Sequence, residues 1–295
     1  MTAQILSGTE TAKQIRVELK EEIAELKEKY NVIPGLVTVL VGADPASQVY
    51  VGAKEKTSGN LGIYSERHDL AENTSQCDLL ALIDKLNKDP KINGILVQLP
   101  LPKHLNETAV LYAIDPKKDV DGFHPVNVGK LMIGEADYLP CTPHGIQQLL
   151  IRSGTQIEGA EVVVVGRSNI VGKPIANMLL QKGSGANATV TICHTRTKNI
   201  EFHTKRADIL IVAAGKPKAI TGDMVKDGVV VIDVGVNQIG TTADGKRILA
   251  GDVDFESVSK KAAAITPVPG GVGPMTITML MINTIKAAKV AAGLD

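Results

Sequence analysis

Short apolar runs rich in β-branched residues constrain the fold of this chain more than any other sequence feature. The runs GLVTVLVG (35–42) and NGILVQLPLP (93–102) lie in the first half, and EVVVVG (161–166), ADILIVAA (207–214) and VVVIDVG (229–235) lie in the second. An unbroken apolar strand is buried on both faces, which is typical of a parallel sheet covered by crossover helices. The alternation of these runs with helix-like segments therefore predicts an α/β fold in two halves.

The bulk properties of the chain exclude several classes of function. Lys and Arg together number 32, as do Asp and Glu, so no net charge draws the chain to nucleic acid or to an anionic membrane. No apolar run approaches the ~20 residues of a membrane span. The N-terminal MTAQILSGTETAKQ lacks the charged start and apolar core of a secretory signal. We expect a cytoplasmic protein that binds neither nucleic acid nor membrane.

The cysteines and histidines form no metal-binding or nucleophilic motif. Cys77, Cys141 and Cys193 are far apart and make no CxxC pair, which favours reduced thiols over a disulfide framework or a zinc site. No HxxxH or HExxH pattern is present, so we expect no metal. Cys141, in LPCTPHG, has no obvious catalytic partner nearby.

A glycine-containing turn in the second half suggests a nucleotide site. In VVVVGRSNIVGKP (162–174), a strand runs into Gly166, and Gly172 opens a helix whose N–H groups and dipole favour a pyrophosphate. Arg167 and Ser168 offer a guanidinium and a hydroxyl to phosphate oxygens. The spacing differs from GxGxxG, so a plain strand–helix turn remains the alternative.

The end of the next strand bears on which dinucleotide is bound. CHTRTKN (193–199) carries no acid of the kind that holds a ribose 2′-hydroxyl in NAD-binding domains. His194, Thr195, Arg196 and Lys198 stand there instead, which predicts NADP over NAD. The alternative is a solvated basic loop.

One helical stripe in the first half groups a ring with an amine. Ser47, Tyr50 and Lys54 fall on one face at i, i+3 and i+7, whereas Lys56 points away. If one lysine of YVGAKEK does chemistry beside the ring, helix geometry selects Lys54. The alternative is a solvated helix face.

Three further features could contribute polar groups to a site. Gln98 follows an apolar strand, at the end where ligands bind in open α/β sheets. Asp119 and Asp121 are close enough in sequence to bind a metal together, or one of them could hold an amide-like ring edge. A metal is disfavoured because the sequence offers no further oxygen ligands at calcium-loop spacing. The loop ITPVPGGVGPMT (265–276) could wrap a ligand or merely link strand to helix.

Six segments, taken together and in order, resemble the signature blocks of the bifunctional methylenetetrahydrofolate dehydrogenase/methenyltetrahydrofolate cyclohydrolase family (FolD). They span most of the chain and read SQVYVGAKEK, GILVQLPLP, KDVDGFHPVN, PCTPHGI, VVVGRSNIVGKP and PVPGGVGPMTITML. The resemblance implies oxidation of 5,10-methylenetetrahydrofolate with NADP, then hydrolysis to 10-formyltetrahydrofolate at the same site. It also implies a homodimer of chains with two α/β domains flanking a cleft. The expected folate domain is 1–142 plus 275–295, and the Rossmann-type NADP domain is 143–274.

The resemblance also implies roles for individual residues. Lys54 matches the catalytic lysine, Gln98 the glutamine beside it, and Tyr50 the tyrosine that stacks on folate. Asp121 matches the acid that holds the pterin, and we count it with these three as catalytic. The other expected contacts are Ser47, Pro269, Gly270 and Gly273 for folate, and Gly166, Arg167, Ser168, Thr195 and Val236 for the cofactor.

Two departures from the family pattern concern the cofactor side. QKGSGANATV (181–190) is longer and richer in glycine than expected, and Thr195 stands where many relatives have Ser. The alternatives for function are a monofunctional dehydrogenase, a non-catalytic folate- or nucleotide-binding relative, and a shikimate-dehydrogenase-like oxidoreductase. The presence of Lys54 with Gln98 argues against a monofunctional dehydrogenase, and intact Lys54 and Asp121 argue against a non-catalytic relative. The PGGVGPMT loop argues against a shikimate-dehydrogenase-like enzyme.

Overall fold

The computed structural model describes residues 3–242, 245 and 247–294 and confirms a mixed α/β fold with parallel sheets. The described chain divides into two compact units. The first contains residues up to Lys13 together with Thr142–Thr276, and the second contains Gln14–Cys141 and the residues from Ile277 onward. Within the described ranges, no helix is both long enough and apolar enough to cross a membrane.

The helices and strands follow one another along the chain in the order given next. They are β1 (Gln4–Ile5), α1 (Gly8–Tyr30), β2 (Gly35–Val41), α2 (Pro45–Leu61), β3 (Tyr64–Leu70), α3 (Gln76–Lys88), β4 (Gly94–Val97), α4 (Glu107–Ala113), α5 (Pro125–Ile133), α6 (Cys141–Arg152), β5 (Glu161–Val165), α7 (Gly172–Leu180), β6 (Thr189–Cys193), α8 (Ile200–Thr204), β7 (Ile209–Val212), a 3₁₀ turn (Gly222–Met224), β8 (Val230–Asp233), β9 (Asn237–Thr241), β10 (Arg247–Ala250), α9 (Phe255–Val258), β11 (Ala264–Ile265) and α10 (Val272–Ala291).

The second unit is built on a three-stranded parallel sheet in the order β3-β2-β4. All seven residues of β2 are buried, as its continuous apolar sequence requires. Its neighbour β4 pairs in register from Leu36 with Gly94 to Val39 with Val97. Gln98 follows directly and donates its main-chain N–H to the Val39 carbonyl at 2.9 Å. The sheet therefore fixes the main chain at Gln98, beyond the carboxyl end of β4.

Helix α2 has well-defined ends that set the rotation of its side chains. The Asp44 carboxylate accepts the Ser47 N–H at 2.8 Å, and Pro45 occupies the first turn. These are the cap and the proline that a helix start favours. The helix stops at Gly62, whose φ of +86° is a left-handed conformation suited to glycine.

The first unit contains six parallel strands in the order β1-β11-β8-β7-β5-β6. The Val run of β5 is buried, and its side chains pack in an apolar core with those of β7 and β8. Strands β9 and β10 form a separate antiparallel pair. This is the parallel-sheet architecture that the sequence predicts for a dinucleotide-binding domain.

The N-terminal segment clusters with the first unit, whereas the sequence assigns residues 1–142 to a single folate domain. The reason is strand pairing, since β1 lies parallel to β11 with Gln4 opposite Ala264. The N–H of Leu6 then donates to the Ile265 carbonyl at 2.9 Å. A sequence pattern does not reveal this pairing because β1 is only two residues long.

Candidate active site

Lys54 of α2 and Gln98 beyond β4 meet in the second unit. The Nζ of Lys54 donates to the Oε1 of Gln98 at 2.9 Å, and the Nε2 of Gln98 donates to the Leu99 carbonyl at 2.6 Å. Because the Leu99 carbonyl takes the N–H side of the amide, the oxygen is left to face the lysine. The structure thus brings together two residues that the sequence names 44 positions apart.

The environment of Lys54 disfavours its charged form. The residue is 8% exposed, and this burial lowers the pKa of the ammonium, although the charge of Asp121 acts in the opposite direction. One turn along, the Ser58 hydroxyl donates to the Lys54 carbonyl at 3.0 Å. An amine held in this way can exchange a proton closer to neutral pH than a surface lysine.

The other residues of the α2 stripe divide as helix spacing predicts. Ser47 is buried, and Tyr50 is 38% exposed, so part of Tyr50 is accessible to a ligand. Lys56 is exposed, in contrast to Lys54. The stripe therefore places an accessible ring one turn from a buried amine.

The two neighbouring acids have different environments. Asp119 is 3% exposed and accepts the N–H groups of Phe123 and His124 at 3.2 and 2.8 Å and the Asn127 Nδ2 at 2.7 Å. Its carboxylate is thus committed to holding the turn before α5. Asp121 is partly buried, and burial raises the pKa of its carboxyl, with the charge of Lys54 opposing. Of the two acids, Asp121 is the one that interacts electrostatically with the lysine.

Cys141 has partners that sequence reasoning missed. Its Sγ donates to the Val120 carbonyl at 3.4 Å, and the side chain is 1% exposed. Burial raises the pKa of the thiol well above its ordinary value, and the Asp121 charge adds to the effect. Cys141 is therefore a neutral thiol beside Asp121, 21 positions from the carbonyl that it contacts. No local motif marks such a contact.

The glycine turn of the first unit has the tight geometry of a phosphate-binding turn. Gly166 has φ of +138°, and a Cβ there would lie 2.2 Å from the Ala213 carbonyl oxygen. A Cβ on Gly172 would lie 2.2 Å from the Gly166 carbonyl oxygen. Both positions therefore require glycine, and the turn that leads into α7 is closely packed.

Ser168 and Arg167 occupy this turn in different ways. The Ser168 Oγ accepts the N–H groups of Val171 and Gly172 at 3.1 and 3.4 Å, so these two donors are already bonded within the turn. Its hydroxyl hydrogen can still be donated to a phosphate oxygen. Arg167 is exposed. The exposed guanidinium of Arg167 and the hydroxyl hydrogen of Ser168 are thus the two donors of this turn that a phosphate could use.

The basic segment after β6 is a compact turn. The N–H of His194 donates to the Thr197 Oγ1 at 2.9 Å, and the Thr197 N–H returns to the His194 carbonyl at 2.8 Å. Thr195, Arg196 and Lys198 are exposed on this turn. Val236, after β8, is 49% exposed. These side chains are therefore accessible to a ligand at the carboxyl ends of β6 and β8.

Two buried acids, which sequence reasoning did not single out, fix the loops after β7 and β8. Asp252 is fully buried and accepts the N–H groups of Ala214 and Gly215 at 2.6 and 2.8 Å. Asp233 is 4% exposed and accepts those of Gly235, Asp252 and Val253 at 2.9–3.0 Å. Burial raises the pKa of Asp233 to about 6. The sequence feature that could have singled out Asp233 is its position as the acid that ends the apolar run VVVID.

The glycine–proline loop belongs to the first unit, whereas Tyr50, Lys54, Gln98 and Asp121 belong to the second. Pro269 is exposed, and Gly270 and Gly273 are partly buried. Gly270 has φ of +98°, and its carbonyl accepts the Thr9 N–H at 3.0 Å. The loop is therefore tied to the start of α1.

The described residues offer no built metal site, since no three His, Cys, Asp or Glu residues among them are placed to hold an ion.

Comparison with known proteins identifies the family. Residues 6–121 match the catalytic domain of tetrahydrofolate dehydrogenase/cyclohydrolase, and residues 140–292 match its NAD(P)-binding domain. Bifunctional protein FolD of Syntrophus aciditrophicus (strain SB) is 69% identical over 294 residues, covering 100% of both chains. The crystal structure of the bifunctional FolD enzyme from Campylobacter jejuni has a TM-score of 0.91 at 50% identity, covering 98% of this chain and 99% of that one.

A Trypanosoma brucei FolD structure, complexed with NADP and an inhibitor, has a TM-score of 0.93 at 40% identity and covers 98% of each chain. These matches extend over both units and include relatives of high identity. The chain belongs to the tetrahydrofolate dehydrogenase/cyclohydrolase family.

Proposed function

We propose that this chain is a bifunctional one-carbon enzyme. It oxidises 5,10-methylenetetrahydrofolate to the 5,10-methenyl form with NADP, and then hydrolyses that product to 10-formyltetrahydrofolate. Family membership supports both activities. The observation that carries the second activity is the contact of buried Lys54 with Gln98 at 2.9 Å, because hydrolysis needs a group that can exchange a proton near neutral pH.

The oxidation step requires alignment more than acid–base chemistry. The carbon that loses hydride lies between two nitrogens, whose lone pairs stabilise the cation that forms. NADP, when bound, accepts the hydride. The protein's task is to hold the folate in place, which we assign to stacking on Tyr50 and hydrogen bonding to Asp121. The accessible ring and the partly buried carboxyl in the second unit support these roles.

The hydrolysis step requires a water molecule to lose a proton as it attacks the methenyl carbon. Lys54 in its neutral form is the base in our proposal, and Gln98 orients it. Burial already lowers the pKa of Lys54, and the positive charge of the methenyl substrate lowers it further. Once protonated, Lys54 can return the proton to the nitrogen that leaves when the ring opens.

The cofactor contacts are part of the same proposal. The turn at Gly166 and the start of α7 would receive the pyrophosphate, with Arg167 and Ser168 as donors. Thr195 and Val236 would lie against the nucleoside portions, and Arg196 would pair with the 2′-phosphate. The exposed side chains after β6, together with the absence of an acid between residues 194 and 199, support NADP over NAD.

We also propose a cytoplasmic homodimer. Large apolar side chains remain exposed on the chain, among them Met132 and Ile133 at 69% each, and such side chains commonly mark contacts between subunits. The buried thiols of Cys141 and Cys193 are compatible with a reducing compartment. Light scattering coupled to size exclusion tests the dimer, and a monomeric mass would refute it.

A two-stage absorbance assay tests the proposed activities. Purified protein is mixed with methylenetetrahydrofolate and NADP, and NADPH formation is followed first. Methenyltetrahydrofolate is then supplied alone, and its decay is compared with the uncatalysed rate. Both reactions should be accelerated. Oxidation without hydrolysis would indicate the monofunctional alternative, and neither reaction would indicate a non-catalytic relative.

A further inference from the structure

Asn283 of α10 donates its side-chain amide to two carbonyls that are far from it in sequence. Its Nδ2 lies 2.7 Å from the Val120 carbonyl oxygen and 2.8 Å from that of Leu139. The side chain is 3% exposed. Both N–H bonds of the amide therefore have an acceptor, which is how a buried amide is satisfied.

The Val120 carbonyl receives a second donor, the Cys141 thiol at 3.4 Å. The Cys141 Sγ also lies 3.8 Å from the Asn283 Nδ2. This carbonyl belongs to the peptide that joins Val120 to Asp121. Two donors thus hold the main chain at the residue immediately before the acid that we assign to the pterin.

The main chain beyond Asp121 is fixed by close packing. A Cβ on Gly122 would lie 3.1 Å from the Pro140 nitrogen and 3.3 Å from the Tyr138 carbonyl oxygen. Asp121 therefore lies between a hydrogen-bonded peptide and a packed glycine. The packing depends on the segment 138–141, which Asn283 holds through Leu139.

We propose that Asn283 is a positioning residue for Asp121, acting through the Val120 and Leu139 carbonyls. The inference rests on the proposed folate chemistry and assigns Asn283 no contact with substrate. Asp121 and Lys54 influence each other's charge, and Asp119 and Cys141 are the other ionisable groups that act on the acid. Asn283 carries no charge, so its removal alters the electrostatics of the site by letting Asp121 move.

Asn283→Ala and Thr284→Val form a matched pair for the test. Thr284 is the next residue of α10, is equally buried, and donates to the Leu280 carbonyl within its own helix at 2.8 Å. Asn283→Ala should raise the KM for methylenetetrahydrofolate about tenfold and leave the KM for NADP within about twofold. Thr284→Val should leave both constants near the wild-type values.

The pH profile of methenyl hydrolysis separates positioning from a general loss of structure. The charge of Asp121 raises the pKa of Lys54, so displacement of Asp121 should move the acid limb of the profile to lower pH in Asn283→Ala. Thr284→Val should not move this limb.

Cys141 supplies a second arm, because its thiol donates to the same Val120 carbonyl and also interacts directly with Asp121. Cys141→Ala removes the other donor to Val120 and should raise the folate KM about threefold, while Cys141→Ser restores a donor and should recover it. Because both donors act on one carbonyl, the double variant should be non-additive. A wild-type protein without folate activity would overturn the proposed function itself. If the wild type is active and its Asn283→Ala variant keeps the wild-type folate KM and pH profile, the inference is overturned. If Asn283→Ala does not fold, an unchanged folate KM and pH profile in Cys141→Ala would overturn it instead.

Discussion

The ammonium of Lys54 lies 2.9 Å from the Oε1 of Gln98, whereas Lys56, two residues along the same helix, is exposed. Lys54 lies about one turn from Tyr50 on the same face of the helix, whereas Lys56 points away, and only Lys54 is buried. Burial lowers the pKa of Lys54 toward neutral pH, and the Gln98 oxygen holds the amine in one position. This contrast makes the chemical role of Lys54 directly testable.

Replacement of Lys54 by Met should remove cyclohydrolase activity while folate binding and some hydride transfer survive. A Met side chain fills a similar volume but cannot exchange a proton, and loss of a general base typically costs about 10²–10⁴-fold. Methenyltetrahydrofolate decay and NADPH formation are measured separately. Lys56→Met is the matched control and should retain both activities, and unchanged hydrolysis in Lys54→Met would refute the assignment.

Replacement of Gln98 by Glu should move the pH dependence of hydrolysis toward alkaline pH. A carboxylate at the Gln98 position favours the ammonium form and so raises the pKa of Lys54, which burial otherwise lowers. The neutral amine then appears at higher pH, and the acid limb of the rate profile should shift by about one unit or more. Gln48→Glu, a change at an exposed position of α2, should leave the limb in place. An acid limb that stays in place in Gln98→Glu would exclude Lys54 as the titrating base.

The sequence predicts those residues of the site whose positions follow from local patterns, such as helix spacing and strand ends. Helix spacing alone separates Lys54 from Lys56, and the end of an apolar strand marks Gln98. The local pattern of KDVDG, without the family resemblance, does not rank its two acids, because the commitment of Asp119 to the turn before α5 depends on main-chain geometry.

Other parts of the site depend on contacts that no local pattern encodes. Asn283 reaches Val120 across 163 positions, and Asp252 reaches Gly215 across 37. Likewise, the placement of residues up to Lys13 follows from a two-residue strand pairing with β11. The fold class is readable from apolar runs, whereas these long-range hydrogen bonds appear only once the chain is folded.

Replacement of Arg196 by Ala should weaken NADP binding selectively. Arg196 is exposed on the turn after β6, and a guanidinium–phosphate contact is a strong charge-assisted hydrogen bond. The KM for NADP should rise about tenfold with little change for NAD. Lys205→Ala is a suitable control because Lys205 pairs with Glu201 at 3.1 Å. Equal effects on NADP and NAD would contradict a 2′-phosphate contact.

Asp233 should make the stability of the protein depend on pH in the acidic range. Its folded-state pKa of about 6 exceeds the ordinary 3.8, so the folded chain holds this proton more tightly than the unfolded chain. The resulting stabilisation is fully present below about pH 4 and is lost as pH rises through about 6, a change of about 3 kcal/mol in all.

Comparison with Asp233→Asn isolates this contribution. Between about pH 4.5 and 7.5, the free energy of unfolding of the wild type relative to the variant should fall by about 2 kcal/mol, measured by urea titration. A ¹³C carboxyl titration of the wild type should show Asp233 changing charge near pH 6. A relative stability that is constant over this range would refute the assignment.

Replacement of Gly8 by Ala should destabilise the protein and disturb the glycine–proline loop. A Cβ at Gly8 would lie 1.7 Å from the Gly271 carbonyl oxygen, a main-chain atom that cannot move without shifting the loop. Overpacking of this kind typically costs about 1–3 kcal/mol. Gly129→Ala, in α5 with nothing within 4 Å of its Cβ, should instead stabilise the fold by about 0.5–1 kcal/mol. Denaturant unfolding of both variants checks this, and a Gly8→Ala variant as stable as Gly129→Ala would show that the start of α1 does not constrain the loop.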